Sequence, residues 1–288
     1  MRRACIDIGS NTTRLLVADC GERLQEVHQE RVFTRIGRTL QAHGAIAPDK
    51  IAEVVEVVTR QLQLARELGA TDVRAVGTAA IRRAANGAAL VGAVRAACGL
   101  EIQVLSGEEE ARLAFIGAAG TLDHRPAGEL GVVDVGGGSS ELVVGSAPDQ
   151  ISWCTSFAVG SGDLADDVLC SDPPTLAELR AARARVAAAT EGLIVPRPAE
   201  AVAVGGSAAS LCRLAGPRLD AEAFEGAFAL LAAHPAGEIA SRFALDVVRV
   251  RLLPAGLLIL QAASELFGAS LQLGCGGIRE GVLLEGGS

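Results

Sequence analysis

The sequence predicts an α/β chain of two similar domains, and three observations predict it. Runs of β-type residues alternate with amphipathic helical runs along the chain. The order of these runs restarts near residue 130. The opening segment CIDIGSNTTRLLVAD is matched in kind by a later one, VVDVGGGSSELVVG. With Asp7 set over Asp134, both read acid, aliphatic, Gly, two turn residues, two hydroxyl residues, a charge (Arg14 or Glu141), then an aliphatic run.

In the first half, residues 4–8 and 15–18 are short strands joined by the turn-rich GSNTT, with a third strand over 31–36. Residues 48–68 form a helix with a Pro/Asp start, its apolar positions Ile51, Val54, Val55, Val58, Leu62 and Ala65 falling on one face. DVRAVGT is a strand, AALVGAVRAA a helix, EIQVL a strand, and GEEEARLAFIGAA a helix with its acids in the first turn. The polar stretch 121–129 is the boundary, dividing the chain into domains 1–122 and 123–288, whose last helix has the option of packing back on the first. Strands at 130–135, 141–145 and 151–157 then precede helices at 175–192, 206–215 and 221–232, with EAVAV running through Gly205-Gly206 into the second of these. A long helix starts near Pro254, followed by the strand SLQLG and a last helix, GIREGVLLE.

Composition narrows the partners. Half of the 288 residues are hydrophobic, which suffices for two cores, but only 3% are aromatic and Tyr is absent, so the cores are Ala/Val/Leu/Ile packing. A net charge of −8 argues against a nucleic-acid or membrane footprint. Seven cysteines without a C-x-x-C pair read as reduced thiols in a cytoplasmic protein. MRRACIDIG passes straight into a strand with no apolar signal region, and the longest apolar run, 252–263, is too short to span a bilayer.

Gly9, Gly136, Gly137 and Gly138 let backbone approach a ligand closely, and successive amides can cradle an anion. Ser10, Asn11, Thr12, Ser139 and Ser140 add short donors. Two such loops suit a phosphate gripped from both sides, and Asp7 and Asp134 at their entrances suit a hard cation such as Mg²⁺. Gly206 and Ser207 open a helix after a strand, a place where anions bind. No G-K-[ST] occurs, so a Walker-type loop is excluded, and with Lys50 the single lysine, anion-binding cations must be Arg.

The paired loops resemble the actin/Hsp70/sugar-kinase superfold, in which two ribonuclease-H-like domains close on a nucleotide or phosphate in an interdomain cleft. More narrowly, DIGSNTTRLLVAD, GTAAIRRAANG, LSGEEEARLAFIGA, VVDVGGGSSELVVG, AVGGSAASL and GIREGVLLE occur in the order seen in exopolyphosphatase/guanosine pentaphosphate phosphohydrolases (Ppx/GppA). That resemblance covers almost the whole chain. It implies Glu110 as the catalytic base, Arg82 as the substrate-contacting arginine, and Glu141 as a metal or water ligand. It also implies a Mg²⁺-dependent phosphohydrolase acting on inorganic polyphosphate or guanosine pentaphosphate, in a family whose members often form homodimers. The match departs in RVRLLPAG, where Arg249 is kept but Arg251 stands in place of an expected acid. Two other readings stay open: a non-catalytic polyphosphate or alarmone sensor, and an ATP-dependent small-molecule kinase of the same superfold.

Overall fold

A computed structural model describes residues 1–285 and resolves them into two compact units, Met1–Thr121 with the segment from Gly276, and Leu122–Cys275. The first unit contains β1 (Arg2–Ile8), β2 (Thr13–Cys20), β3 (Leu24–Val32), α1 (Ile36–His43), α2 (Pro48–Glu67), β4 (Asp72–Gly77), α3 (Ala79–Arg83), α4 (Gly87–Cys98), β5 (Ile102–Val104) and α5 (Gly107–Gly120). The second contains β6 (Leu130–Val135), β7 (Ser140–Ser146), β8 (Gln150–Phe157), α6 (Ser161–Val168), α7 (Leu176–Thr190), β9 (Glu200–Val204), α8 (Gly205–Ala215), β10 (Arg218–Leu219), α9 (Ala221–Ala233), α10 (Ala236–Phe243), α11 (Val247–Phe267) and β11 (Leu271–Leu273). The chain then returns to the first unit as α12 (Ile278–Glu285).

Both sheets follow one plan. The first has the order β3-β2-β1-β4-β5, with β1–β3 antiparallel and β4 and β5 added in parallel. In the second, β8-β7-β6-β9-β11 repeats that order and that mix of directions, and β10 pairs antiparallel at the far edge. This is the α/β, ribonuclease-H-like arrangement of the actin/Hsp70/sugar-kinase superfold, built twice. The central strands are apolar because both of their faces are covered: every residue of β6, LGVVDV, is buried.

Alternation along β1 and β2 sends Ala4, Ile6, Ile8, Leu15 and Val17 toward α2 and α4, into one core with Val54, Val58, Leu62 and Leu90. The opposite face carries Cys5, Leu16 and Ala18, which pack with Leu113 of α5 and Val282 and Leu283 of α12. In the second unit α11 is the centre of a single core that includes Val133, Val135, Leu142 and Val144. Among the described residues α11 is the one helix long and apolar enough to cross a membrane, but two thirds of its most apolar stretch is buried inside the protein.

Several expectations are corrected here. The third strand ends at Val32 rather than running over 31–36, and 36–43 is the helix α1. Helices α3, α6 and α10 were not expected from the sequence pattern. The long helix starts at Val247, capped by the Asp246 carboxylate accepting from Val248 N–H at 2.7 Å, and Pro254 lies inside it. Residues 276–285, placed in the 123–288 domain with the option of packing back on the first, take that option: they sit on α5 because glycines let the two backbones touch. A side chain at Gly117 would strike the Gly277 carbonyl, and one at Gly281 the Leu113 carbonyl. Arg3 Nη1 also donates to the Leu283 carbonyl at 3.1 Å.

Candidate functional site

Each doubled hairpin is held by the same device. Gly9 N–H donates back to the Thr12 carbonyl at 3.0 Å, and Gly136 N–H to the Ser139 carbonyl at 3.0 Å. The carbonyls at the loop crest are then taken up by the first amides of a following helix. Gly37 and Arg35 N–H, at the start of α1, donate to Ser10 and Asn11 carbonyls at 2.9 and 3.0 Å. Ser161 N–H donates to Gly136, and Gly162 and Asp163 N–H to Gly137, all at 2.9 Å, at the start of α6. The helix amides that lack a partner within their own helix are thereby satisfied by loop carbonyls. Glycine at 160 is required, since a side chain there would strike the Gly137–Gly138 backbone. Arg35 accepts a left-handed φ of 50° to make its bond.

In the first unit Ser10 and Thr12 are buried, and Asp7 Oδ1 and Asn11 Nδ2 are buried with no hydrogen-bond partner. Burial pushes the Asp7 carboxyl above its ordinary range, against the opposing pull of Arg14, its cross-strand neighbour, and Arg279. Burial is also the main reason the Arg14 guanidinium is drawn down to about 10, with Arg279 adding to the effect.

Of the three consecutive acids, the structure separates one from the others. Ser106 caps α5: Glu109 N–H donates to its Oγ at 3.1 Å, and Ser106 N–H donates to Glu109 Oε2 at 2.7 Å. The Ser106 amide, then its hydroxyl, hold the Glu109 carboxyl below its ordinary range. Glu108 is exposed. Glu110, fixed by the same cap, points inward, is only 3% exposed and forms an ion pair with Arg82 Nη1. The same nitrogen of Arg82, on α3, also donates to the Leu105 carbonyl at 2.5 Å. Removing Arg82 would take an ion-pair partner from a carboxylate that is almost fully buried.

In the second unit Asp134 and Glu141 are directly opposed on β6 and β7, so both project from one face. Glu141 Oε1 accepts from Ser156 Oγ at 2.8 Å. Gly205, with φ of 90°, faces Asp134 Oδ1 and has no room for a side chain. Its neighbour Gly206 lies under the Arg249 guanidinium, whose Nη atoms would be 2.8 and 2.9 Å from a Cβ there. Ser207 is fully buried with its Oγ unpartnered, at the start of α8.

Among the described residues no three His, Cys, Asp or Glu groups converge as a cation site. Mg²⁺ commonly takes one or two carboxylates and completes its shell with water and phosphate oxygens, which Asp134 and Glu141 can satisfy. Asp7, the third expected ligand, belongs to the other unit and is opposed by Arg14.

Three features of these sites were not singled out from the sequence. Arg249, buried against Gly206, was noted but given no role; its signal was an arginine inside an apolar helix. Arg279 and Glu280 are buried beside the first hairpin, Arg279 Nη1 donating to the Leu15 carbonyl at 3.3 Å and Glu280 accepting from Gly277 N–H at 2.8 Å. Ser156 gave no signal at all. The departure at Arg251 resolves into a new pairing: its guanidinium meets Asp172 at 3.3 Å and donates to the Cys170 carbonyl at 3.3 Å.

A profile of the Ppx/GppA phosphatase family matches residues 16–286. Exopolyphosphatase 2 of Mycobacterium tuberculosis is 38% identical over 199 residues, 63% of this chain and 59% of that one. The chain thus aligns with about three fifths of the length of the curated relatives it matches first. An uncharacterized Streptomyces coelicolor protein, SCO0757, is 29% identical over 99% of this chain and 90% of its own. Among solved structures, the Aquifex aeolicus member of the Ppx/GppA family superposes with a TM-score of 0.83 at 29% identity, covering 99% of this chain and 97% of that one. An almost complete profile match and a full-length likeness in structure lead to one assignment: this chain belongs to the Ppx/GppA phosphatase family.

Proposed function

We propose that the protein is a phosphohydrolase that removes the terminal phosphate from inorganic polyphosphate, from guanosine pentaphosphate, or from both. The observation that carries this reading is Glu110, the one buried carboxylate of its acidic run, ion-paired with Arg82. Family membership and the exopolyphosphatases among its relatives support it.

Cleaving a phosphoanhydride requires an oriented water, a group to take its proton, and positive charge or N–H donors on the departing oxygens. Glu110 takes the proton. Arg82 offers a guanidinium to the phosphate oxygens while holding the carboxylate at hydrogen-bonding distance. In the second unit the Gly136–Ser139 loop, through its Gly137 and Ser139 amides, and Gly206 and Ser207 at the start of α8 bind phosphate oxygens; in the first unit Ser10, Asn11 and Thr12 do so. The unpartnered Asn11 Nδ2 and Ser207 Oγ support those assignments, because buried polar atoms are rarely left unsatisfied without a ligand to meet them. Asp134 and Glu141 of the second unit would hold a divalent cation, which would supply charge neutralisation on the phosphates; Asp7, also expected as a ligand, lies in the first unit. The seven cysteines, all free thiols, support a cytoplasmic setting. Arg251, which stands in place of the expected acid, pairs with Asp172, and the sensor reading is decided by the test below.

The test is phosphate release with Mg²⁺ from short polyphosphate, long polyphosphate and guanosine pentaphosphate, wild type beside Glu110→Gln. Substituting the base should lower kcat by about 10²–10⁴ while substrate binding is kept. Turnover unchanged by Glu110→Gln would refute the assigned base. Tight binding without turnover of any of the three would establish the sensor, and ADP formed only with an added acceptor would establish the kinase.

A further inference from the structure

The hairpin of the second unit continues into a third strand, and that strand carries the row of polar residues outward. Asp134 on β6 faces Glu141 on β7, and Glu141 faces Ser156 on β8. Directly opposed residues project to the same side of a sheet, so the three side chains line up across three strands. On the other flank Asp134 is paired with Val204, and the next residue, Gly205, leaves its Cβ space to Asp134 Oδ1. One carboxylate therefore abuts glycine backbone and the other a hydroxyl.

The matching row of the first unit has different chemistry. There Asp7 faces Arg14, and Arg14 faces Arg31. Two guanidiniums occupy the places that Glu141 and Ser156 hold in the second unit. The acid–acid–hydroxyl row is thus particular to one of two otherwise parallel hairpins. It is the row a cation would choose.

Ser156 is itself exposed, whereas Glu141 is 2% exposed. An exposed serine has water available for its hydroxyl, yet Oγ is turned inward, donating at 2.8 Å to Glu141 Oε1. That bond is one constraint on the rotation of the carboxylate. We propose that Ser156 is a positioning residue: its hydroxyl orients the Glu141 carboxylate so that Glu141 and Asp134 together hold a divalent cation. The proposal rests on the cation reading given above.

Mn²⁺ binding followed by electron paramagnetic resonance tests it without reference to turnover, using Mn²⁺ alone and Mn²⁺ with methylenediphosphonate. The proteins are wild type, Ser156→Ala, Ser156→Thr and Glu141→Gln, each also followed by thermal denaturation. Loss of a group that orients a metal ligand commonly costs 10–100-fold in affinity, so Ser156→Ala should raise the Mn²⁺ dissociation constant about tenfold. Ser156→Thr keeps the hydroxyl and should restore wild-type affinity. If Glu141→Gln weakens Mn²⁺ binding but Ser156→Ala does not, the positioning role is refuted and the cation reading stands. A lowered melting temperature for Ser156→Ala at unchanged affinity, or a Ser156→Thr that behaves like Ser156→Ala, also refutes it. Wild type that binds no Mn²⁺ under either condition, or a Glu141→Gln that binds as wild type does, removes the cation reading and this proposal with it.

Discussion

Glu178 shows how one half-buried carboxylate can organise a loop. Its oxygens accept from Thr175 N–H and Oγ1 at 2.7 and 2.9 Å, and from Cys170 and Ser171 N–H at 3.0 and 2.9 Å. The Thr175 amide first, with the Thr175 hydroxyl and the Ser171 amide, holds its pKa down to about 2 from an ordinary 4.5. A depressed carboxylate stabilises the fold above its unfolded value, and that contribution fades as pH falls toward the folded one. Glu178→Gln should therefore melt below wild type at pH 7, with the gap narrowing as pH drops from about 4.5 toward 2. A gap independent of pH would show that these bonds do not favour the charged form. At this scale the sequence was informative wherever a residue's role is local. The acidic run marked a helix start through the dipole, but only the Ser106–Glu109 cap shows why residue 110 and not 108 or 109 turns inward. Ser156 could not be read, because its partner lies on a neighbouring strand and depends on register.

Among the elements, the hairpins and central strands were legible because turn chemistry and alternation are short-range signals. The third strand was misplaced because LQEVHQERV carries polar residues on both faces at the edge of its sheet. Helices α1 and α6 were missed since each is eight residues long, too short for a clear apolar period. Pro254 was taken for a helix start, the position proline favours, whereas α11 is buried deeply enough to run through it. The packing of α12 on α5 makes a prediction of its own. Gly281→Ala places a methyl group against the Leu113 carbonyl and should cost about 1–3 kcal/mol in a denaturant titration, as overpacked contacts do. Gly226→Ala, in α9 with open space beside it, is the control and should be neutral or slightly stabilising. Equal effects at the two positions would mean that the helices do not touch as described.

For the whole molecule, two units with one sheet order agree with the doubled hairpin and with the strand and helix runs that restart near residue 130. The return of α12 to the first unit was open from the sequence but not decided by it, because the helix joins through glycine contacts with no periodic signature. A fragment of residues 1–121 therefore lacks the cover for Leu16, Leu113 and the rest of that face. It should bind a hydrophobic dye and give poorly dispersed amide resonances, and adding a peptide of residues 276–288 should reverse both. A fragment that is well ordered without the peptide would show that α12 is dispensable to this core.

The same return of the chain has a consequence for biosynthesis. A ribosome delivers residues 1–121 early and all of residues 122–275 before it delivers α12. The second unit can fold as it emerges, but the first must wait, its Leu113 face uncovered, until α12 has been made. Nascent chains released early would carry Glu110 on an unsupported helix and an open apolar surface that proteases and chaperones recognise. Synthesis of α12, rather than of residues 1–121 alone, is what yields a finished first unit.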